Sequence, residues 1–264
     1  MTRGAHERVL LEAAFVLHQH PYRDSSRILE LLTRHHGRRT VFSRGTHRPG
    51  SPLTAVLQPF SRVLVSWSAR GEAGTLIHAE FDGAPTSLHA SRLMSGFYLN
   101  ELLIRLLPRH DPQTDVFDLY AATLEALRSQ RDEGVVLRVF EKRLLEIAGY
   151  GLSLTHDVRS GVPVDATRTY RFLPDEGPVE WAPGVAEGHF LVTGATLLAL
   201  AAESLDEPTV RHEARRILRM SLDRCLEGRG LRSRDVMTAM RRAAPASSSA
   251  AGTTSAAEPD AAGS

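Results

Sequence analysis

Residues 60–67, Phe-Ser-Arg-Val-Leu-Val-Ser-Trp, decide the fold class. Val63, Val65 and Trp67 alternate with Ser66 and Ser68, the period of a strand with one buried face, and Leu64 is the one break in it. Similar pieces lie on both sides. Ala14 to Leu17 reads as a strand that stops at His20-Pro21, Arg27 to Leu32 as a second, and Arg38 to Phe42 as a third, with Gly37 at the turn before it. Gly74 to Phe81 follows the quoted stretch. Five short strands in about 80 residues predict a small barrel, and five is the count of an oligonucleotide-binding (OB) barrel. Phe15, Phe42, Phe60 and Trp67 are expected in its core.

Charge is distributed unevenly along the chain. The net charge of +1 averages unlike segments: residues 1–80 carry 11 Arg against 6 acidic residues, residues 81–210 carry 11 Lys+Arg against 19, and residues 211–242 carry 10 Arg against 4. Two basic ends around an acidic middle imply an anionic partner at the ends and a separate surface in between. Nearly all the positive charge is arginine, and Lys142 is the only lysine.

From residue 88 the period changes to that of helices. Leu99, Leu102, Leu103 and Leu106 recur at i, i+3, i+4 and i+7, and Pro108 ends that helix. A second runs from Asp111-Pro112 through Val116, Tyr120, Leu124 and Leu127; a third carries Val136, Phe140, Leu144 and Ile147 and stops at Gly149. Residues 152–190 break into Gly, Pro and Thr and predict an irregular loop or hairpin. Helices resume at about 194–204, 208–227 and 232–242. The reading is therefore α+β: a five-stranded OB barrel over 1–83, a helical domain over 84–242 with an irregular insertion at about 152–190, and a disordered tail at 243–264. Cys225 stands alone on the stripe Ala214, Ile217, Leu218, Ser221, which makes it a small core residue and excludes a cysteine metal cluster. No targeting segment is visible and the most apolar stretch, Ala195 to Ala202, is too short to span a bilayer, so a soluble cytoplasmic protein is expected.

Catalytic motifs are absent from the sequence. There is no phosphate loop, no Gly-x-Ser-x-Gly elbow, and the His212-Glu213 start of a zinc-helix motif fails because Arg216 stands at the second histidine position. His156-Asp157 is a bare dipeptide in a loop, read as a solvated pair. His35-His36 would point to opposite faces if extended, and simply adds positive character beside Arg34, Arg38 and Arg39.

The ordered set Ala14-Phe15-Val16-Leu17-His18, Tyr22-x-x-Ser25-Ser26, Arg44-Gly45 and Leu57-Gln58-Pro59-Phe60 resembles the N-terminal domain of the RecO family of bacterial recombinational repair mediators. The resemblance continues through Gly96-Phe97-Tyr98-Leu99-Asn100-Glu101, Leu137-Arg138-x-Phe140-Glu141, Gly149-Tyr150-Gly151, Pro163-Val164-Asp165 and Leu231-Arg232-Ser233-Arg234-Asp235. It implies an OB domain followed by a helical domain. It also implies binding of single- and double-stranded DNA, strand annealing, and loading of recombinase with RecR onto DNA coated by single-strand-binding protein (SSB). Many members of the family carry four cysteines for structural zinc in the region matching 152–190. This chain has none there and looks like a metal-free branch, its loop held by Tyr170, Phe172 and Trp181.

Candidate site residues follow from placement and from the resemblance. Arg38, Arg39, Arg44 and Arg48, bracketed by Gly37, Gly45 and Gly50, read as a flexible basic loop that contacts DNA, joined by Arg23 and Arg34 and, at the basic C-terminal end, by Arg232 and Arg234. Tyr22 is a candidate base-stacking platform. The resemblance places Arg138 near a pocket for the acidic C-terminal tail of SSB, where a guanidinium can grip the free carboxylate; Leu137 and Phe140 are candidates for the apolar cleft beside it. The expected molecule is a non-enzymatic DNA repair mediator, monomeric alone, with no cofactor and no metal. The alternative is a general OB-type nucleic-acid-binding adaptor in transcription or translation.

Overall fold

The alternation at Val63, Val65 and Trp67 belongs to a strand of a closed barrel. The computed structural model describes residues 6–23, 26–45, 51–182 and 190–243. Arg48 and the tail beyond residue 243 lie outside these described residues. Five strands, β1 (Glu7–Tyr22), β2 (Ser26–Thr33), β3 (Gly37–Ser43), β4 (Arg62–Ala69) and β5 (Ala73–Phe81), close in the order β1-β2-β3-β5-β4. All neighbouring pairs are antiparallel except β3 with β5. The barrel interior holds Leu29, Leu31, Val41, Val63, Val65 and Trp67. One end is closed by the short helix α1 (Pro52–Val56) and the fully buried Leu57, an element with no periodicity long enough to read in sequence.

Strand β1 runs past the stop expected at His20-Pro21 and ends at Tyr22. It pairs with β4 only from Glu7 to Phe15, so beyond that point one of its edges is open. Proline lacks the donor that a paired edge needs and is tolerated on an open one. A bulge between Val16 and His18 brings His18 to the outward side along with Leu17. Phe42 departs from its expected core position. It is half-buried on the outside of the barrel, where its ring lies 5.4 Å from that of Tyr22. Phe15, Phe60 and Trp67 are buried.

After a 3-10 turn at Ala90–Arg92 come α2 (Leu93–Leu106), α3 (Thr114–Arg128) and α4 (Glu133–Ile147). Leu99, Leu102 and Leu103 are fully buried, as their spacing requires. Asp132 caps α4 by accepting the Val135 N–H at 3.1 Å. Gly149 ends it at φ +83°, and the Tyr150 N–H returns to the Leu145 carbonyl. The single lysine, Lys142, is buried on α4 between Glu203 at 3.1 Å and Glu146 at 3.0 Å. The region expected to be irregular contains a small sheet, β6 (Thr169–Leu173), β7 (Gly177–Glu180) and β8 (Leu191–Thr193), in the order β7-β6-β8. Helices α5 (Gly194–Ala202), α6 (Pro208–Cys225) and α7 (Arg232–Ala243) complete the chain. Cys225 is half-buried against the core.

Asp157 organises the insertion and is not the solvated group expected from sequence. It is buried, and its Oδ1 accepts the N–H groups of Arg159 at 2.9 Å and Ser160 at 2.7 Å. Its Oδ2 accepts from Glu180 of β7 at 2.5 Å. Burial alone would raise this carboxyl, but the bonds from Ser160, Glu180 and Arg159 hold it below its ordinary value. Tyr170 and Phe172 are buried beneath the sheet and Trp181 is half-buried. Among the described residues no group of three or more His, Cys, Asp or Glu is placed to hold a metal ion.

Barrel and helices share one apolar core. Phe15, Leu17, Leu32 and Phe60 lie in the same cluster as Leu99, Leu103, Phe117 and Tyr120. Phe15 meets the Phe117 and Tyr120 rings at 5.1 and 5.0 Å. Buried Asn100 donates to the Leu17 carbonyl at 2.8 Å and accepts from the Tyr120 hydroxyl at 2.5 Å. Around this core the basic segment forms a clasp. Arg34 makes two bonds to Asp118 of α3, at 2.6 and 2.9 Å. Arg38 pairs with Glu30 and donates to the Leu107 carbonyl at 3.2 Å, while Arg109 reaches Glu30 from the helical side at 3.4 Å. Arg39 makes two bonds to Glu7 and meets the His110 ring. Gly37, at φ +67°, lets the turn touch the backbone of Asp111, because a Cβ there would sit 2.4 Å from the Asp111 carbonyl oxygen. Arg34, Arg38 and Arg39 are therefore not part of a flexible loop. His35 and His36 lie in the turn and both approach the buried Glu12, at 3.3 and 3.5 Å.

The clasp separates strong pairs from weak ones. Arg38 and Glu30 have side-chain exposures of 11% and 10%, so Arg38→Ala takes the nearer cation from a buried carboxylate that keeps Thr40 and Arg109, and should cost about 1–3 kcal/mol in a urea melt. Arg34→Ala breaks a pair whose Asp118 is half exposed and should cost no more than about 1 kcal/mol. Equal losses at the two positions would refute this ranking. Asp157→Ala should lower the melting temperature, whereas a chelator should leave that of the wild type unchanged. Because the folded Asp157 pKa is depressed, its contribution is full above the ordinary carboxylate range and is lost as pH falls through the folded value. A melting temperature for Asp157→Ala that matches wild type at neutral pH would remove the residue from this role.

Candidate functional site

One outer face of β1, β2 and β3 serves two purposes along its length. Cross-strand register lines up Phe15, Leu32 and Arg38; then His18, Glu30 and Thr40; then His20, Ile28 and Phe42; and last Tyr22 with Ser26. The first row lies under the helices and the second closes the clasp, where Thr40 donates to Glu30 at 2.8 Å. The remaining rows are open. Tyr22 is 37% exposed against Phe42, and the Arg23 guanidinium lies 5.2 Å over the Tyr22 ring. His18 and His20 stack edge-on at 4.8 Å. Arg44 is exposed just beyond the end of β3. Two rings, a guanidinium above one of them and Arg44 at the margin form a surface on which a planar base can stack and a phosphate can be held.

A second site lies between α2, α4, α6 and α7. It is a groove of about 590 Å³. Its floor is a polar triad in which the Tyr98 hydroxyl and Arg138 both donate to Glu141 Oε1, at 2.6 and 2.5 Å. Burial, then the adjacent Glu141 charge, push the Tyr98 hydroxyl far up, so it remains a donor throughout the working pH range. Arg138 is buried, and its Nε has no hydrogen-bond partner among the described residues. Arg211, Arg215 and Arg219 line one wall at i, i+4 and i+8 along α6, together with His212. Arg234 enters from α7 and pairs with Asp223. Apolar surface comes from Met94, Leu137, Met237 and Met240. A groove in which five arginines outnumber Glu133, Glu141 and Asp235, with a methionine-rich lining, suits an acidic peptide that carries a carboxylate and an apolar side chain.

The candidate residues thus fall into four places. Tyr22, Arg23 and Arg44 lie at or beside the open end of the barrel face. Arg34, Arg38 and Arg39 are spent on the clasp. Arg138 and Leu137 line the groove, and Arg234 lies there rather than on a DNA-facing surface. Phe140 is fully buried in the core and does not line the groove, because it sits on the inward face of α4. Arg232 is exposed at the start of α7. Arg211, Arg215 and Arg219 are not among the sequence candidates, although their four-residue spacing beside the Ala214, Ile217, Leu218 stripe is visible in the sequence. Nor are Tyr98 and Met237, which only the meeting of separate helices brings to the groove.

Comparison with known proteins agrees with this architecture. The model of the Recombination protein O N terminal family matches residues 9–82, and that of the C terminal family matches residues 89–235. A protein from Methylococcus capsulatus named DNA repair protein RecO is 45% identical over 234 residues, covering 89% of this chain and 95% of its own length. Relatives of the same name from Alkalilimnicola ehrlichii and Coxiella burnetii are 45% and 40% identical, covering 94% and 99% of their own lengths. No helix among the described residues is long and apolar enough to cross a membrane. With its strand order, its helical domain and similarity along nearly all of the described chain, the protein belongs to the RecO family of DNA repair proteins.

Proposed function

We propose that the protein is a non-enzymatic repair mediator with two separate binding surfaces. The open end of the barrel face holds single- and double-stranded DNA and brings complementary strands together. The helical groove takes the acidic C-terminal tail of SSB, so that annealing, and loading of recombinase with RecR, can act on coated DNA. It works in the cytoplasm at the nucleoid, without cofactor or catalytic centre. The observation that carries this reading is the groove. Arg138, paired with Glu141, lies there beside apolar surface, and Arg211, Arg215, Arg219 and Arg234 from the basic C-terminal segment line the same groove.

The physical division of labour is simple. Annealing needs neutralisation of two phosphate backbones and no hydrolysis, and arginine at the barrel rim supplies the charge. Stacking on Tyr22 and Phe42 tolerates any base, which suits a mediator that reads no sequence. An apolar side chain of the tail fits among Met94, Leu137 and Met237 while its carboxylate meets Arg138. A general nucleic-acid adaptor lacks a use for this groove and would be blocked by an SSB coat.

Two experiments test the two surfaces separately. Tyr22→Ala should weaken single-stranded DNA binding by about 1–3 kcal/mol regardless of sequence, and Arg23→Ala with Arg44→Ala should lower the log–log salt slope by about 0.7–0.9 for each phosphate that is no longer neutralised. An unchanged slope in the folded double variant would remove the barrel rim from the DNA site. Arg138→Ala should weaken binding of an SSB tail peptide by about 1–3 kcal/mol in fluorescence anisotropy and abolish annealing of SSB-coated strands. Naked-strand annealing should survive. Intact tail affinity in Arg138→Ala, or an equal fall in naked-DNA affinity, would overturn the assignment.

A further inference from the structure

Helix α7 is fastened to the rest of the helical domain by a carboxylate from another helix. Glu101 of α2 turns both oxygens towards the first turn of α7. Its Oε1 accepts the Arg232 N–H at 3.0 Å, and its Oε2 accepts the Ser233 N–H at 2.8 Å and the Ser233 hydroxyl at 2.7 Å. These are helix-start donors with no acceptor inside their own helix, and a negative charge there also meets the positive end of the helix dipole. Arg105, one turn along α2, steadies the carboxylate at 3.6 Å. Burial alone would raise the Glu101 carboxyl, yet the bonds from Ser233 and Arg232 hold it below its ordinary value, so it is ionised at neutral pH.

Apolar packing holds α7 only through Leu231, just before it, and half-buried Met237. Val236 is 46% and Met240 56% exposed. Elements with few buried apolar contacts open at low free-energy cost. Even so, α7 forms one wall of the groove through Met237 and Met240. It also lays Arg234 over the Tyr98 ring at 5.7 Å, directly above the triad that holds Arg138.

We infer that Glu101 is a positioning residue for the groove: it latches α7 in place, and docking of α7 and capture of an acidic tail peptide form a single coupled equilibrium. The inference rests on the reading of the groove as an acidic-peptide site and adds to it a residue that does not line the groove. A peptide that meets both Arg138 and Arg234 binds only the docked form. Its apparent affinity therefore scales with the docked fraction, and a variant that reduces that fraction tenfold weakens binding tenfold. Coupling is reciprocal, so the peptide also holds α7 down.

The test uses the full chain, with an acidic peptide that ends in an aromatic residue and a free carboxylate as the probe. Glu101→Ala should bind it at least tenfold more weakly, and Glu101→Gln, which keeps an oxygen acceptor without the charge, should fall in between. Hydrogen exchange supplies a readout that a general loss of stability would not mimic. Amides of residues 232–240 should exchange faster in Glu101→Ala while those of α3 and α4 stay at wild-type rates, and the peptide should slow exchange in α7 of the wild type several-fold. Wild-type peptide affinity in Glu101→Ala, or weaker affinity with α7 exchange unchanged, overturns the latch. A wild-type protein that takes up no peptide overturns the groove reading itself, a result distinct from either of these.

Discussion

The buried carboxylate of Glu30 is the point on which the arrangement of the two halves depends. It sits midway along the outer barrel face, bonded by Arg38 and Thr40 from the neighbouring strand and approached by Arg109 from the helical side. On one side of it the strands are covered by helices and continue their apolar core. On the other they are bare and carry rings and cations. An acceptor buried to this degree must be satisfied, and the groups that satisfy it come from both halves of the molecule. Burial pulls the Arg38 guanidinium down, against the support of Glu30, a sign of how far the pair has been taken out of water. The relative placement of barrel and helices is therefore set by charge pairing around a hydrophobic contact, and the exposed part of the sheet is what that contact leaves uncovered.

The barrel was legible in the sequence because each strand carries its signal locally. Alternation at Val63, Val65 and Trp67, the turn glycine at 37 and the five-strand count are all short-range features. The helices were legible for the same reason, at their own period. The roles of the arginines were not. Arg34 meets Asp118 84 residues away, Arg39 meets Glu7 32 residues away and Arg38 meets Glu30 on the neighbouring strand, so a run that reads as unpaired positive charge is neutralised by acids that only the fold brings to it. Phe42 was misplaced because strict alternation assigns a ring to the inside of a barrel, whereas the cross-strand partner Ile28 puts it outside. Arg138 was found through resemblance alone, since its position on α4 looks solvated until three other helices close around it.

The insertion is held together by bonds that its local sequence does not announce. Here a single carboxylate gathers three backbone N–H groups from two separated stretches, while buried rings cover the sheet beside it. The dipeptide His156-Asp157 gave no hint of this, because its sequence neighbours are not its bonding partners.

Lys142 has a consequence of a chemical kind. It is the single lysine of the chain, and it is buried between two glutamates. Every other basic side chain that is not histidine is a guanidinium, which keeps its charge at any physiological pH and does not undergo acylation as an amine does. The positive surfaces of this protein are therefore insensitive to acetyl transfer, and amine-directed cross-linkers find a single side chain, shielded by its own ion pairs. Apart from its histidines, the positive charge of its side chains is set when the chain is made.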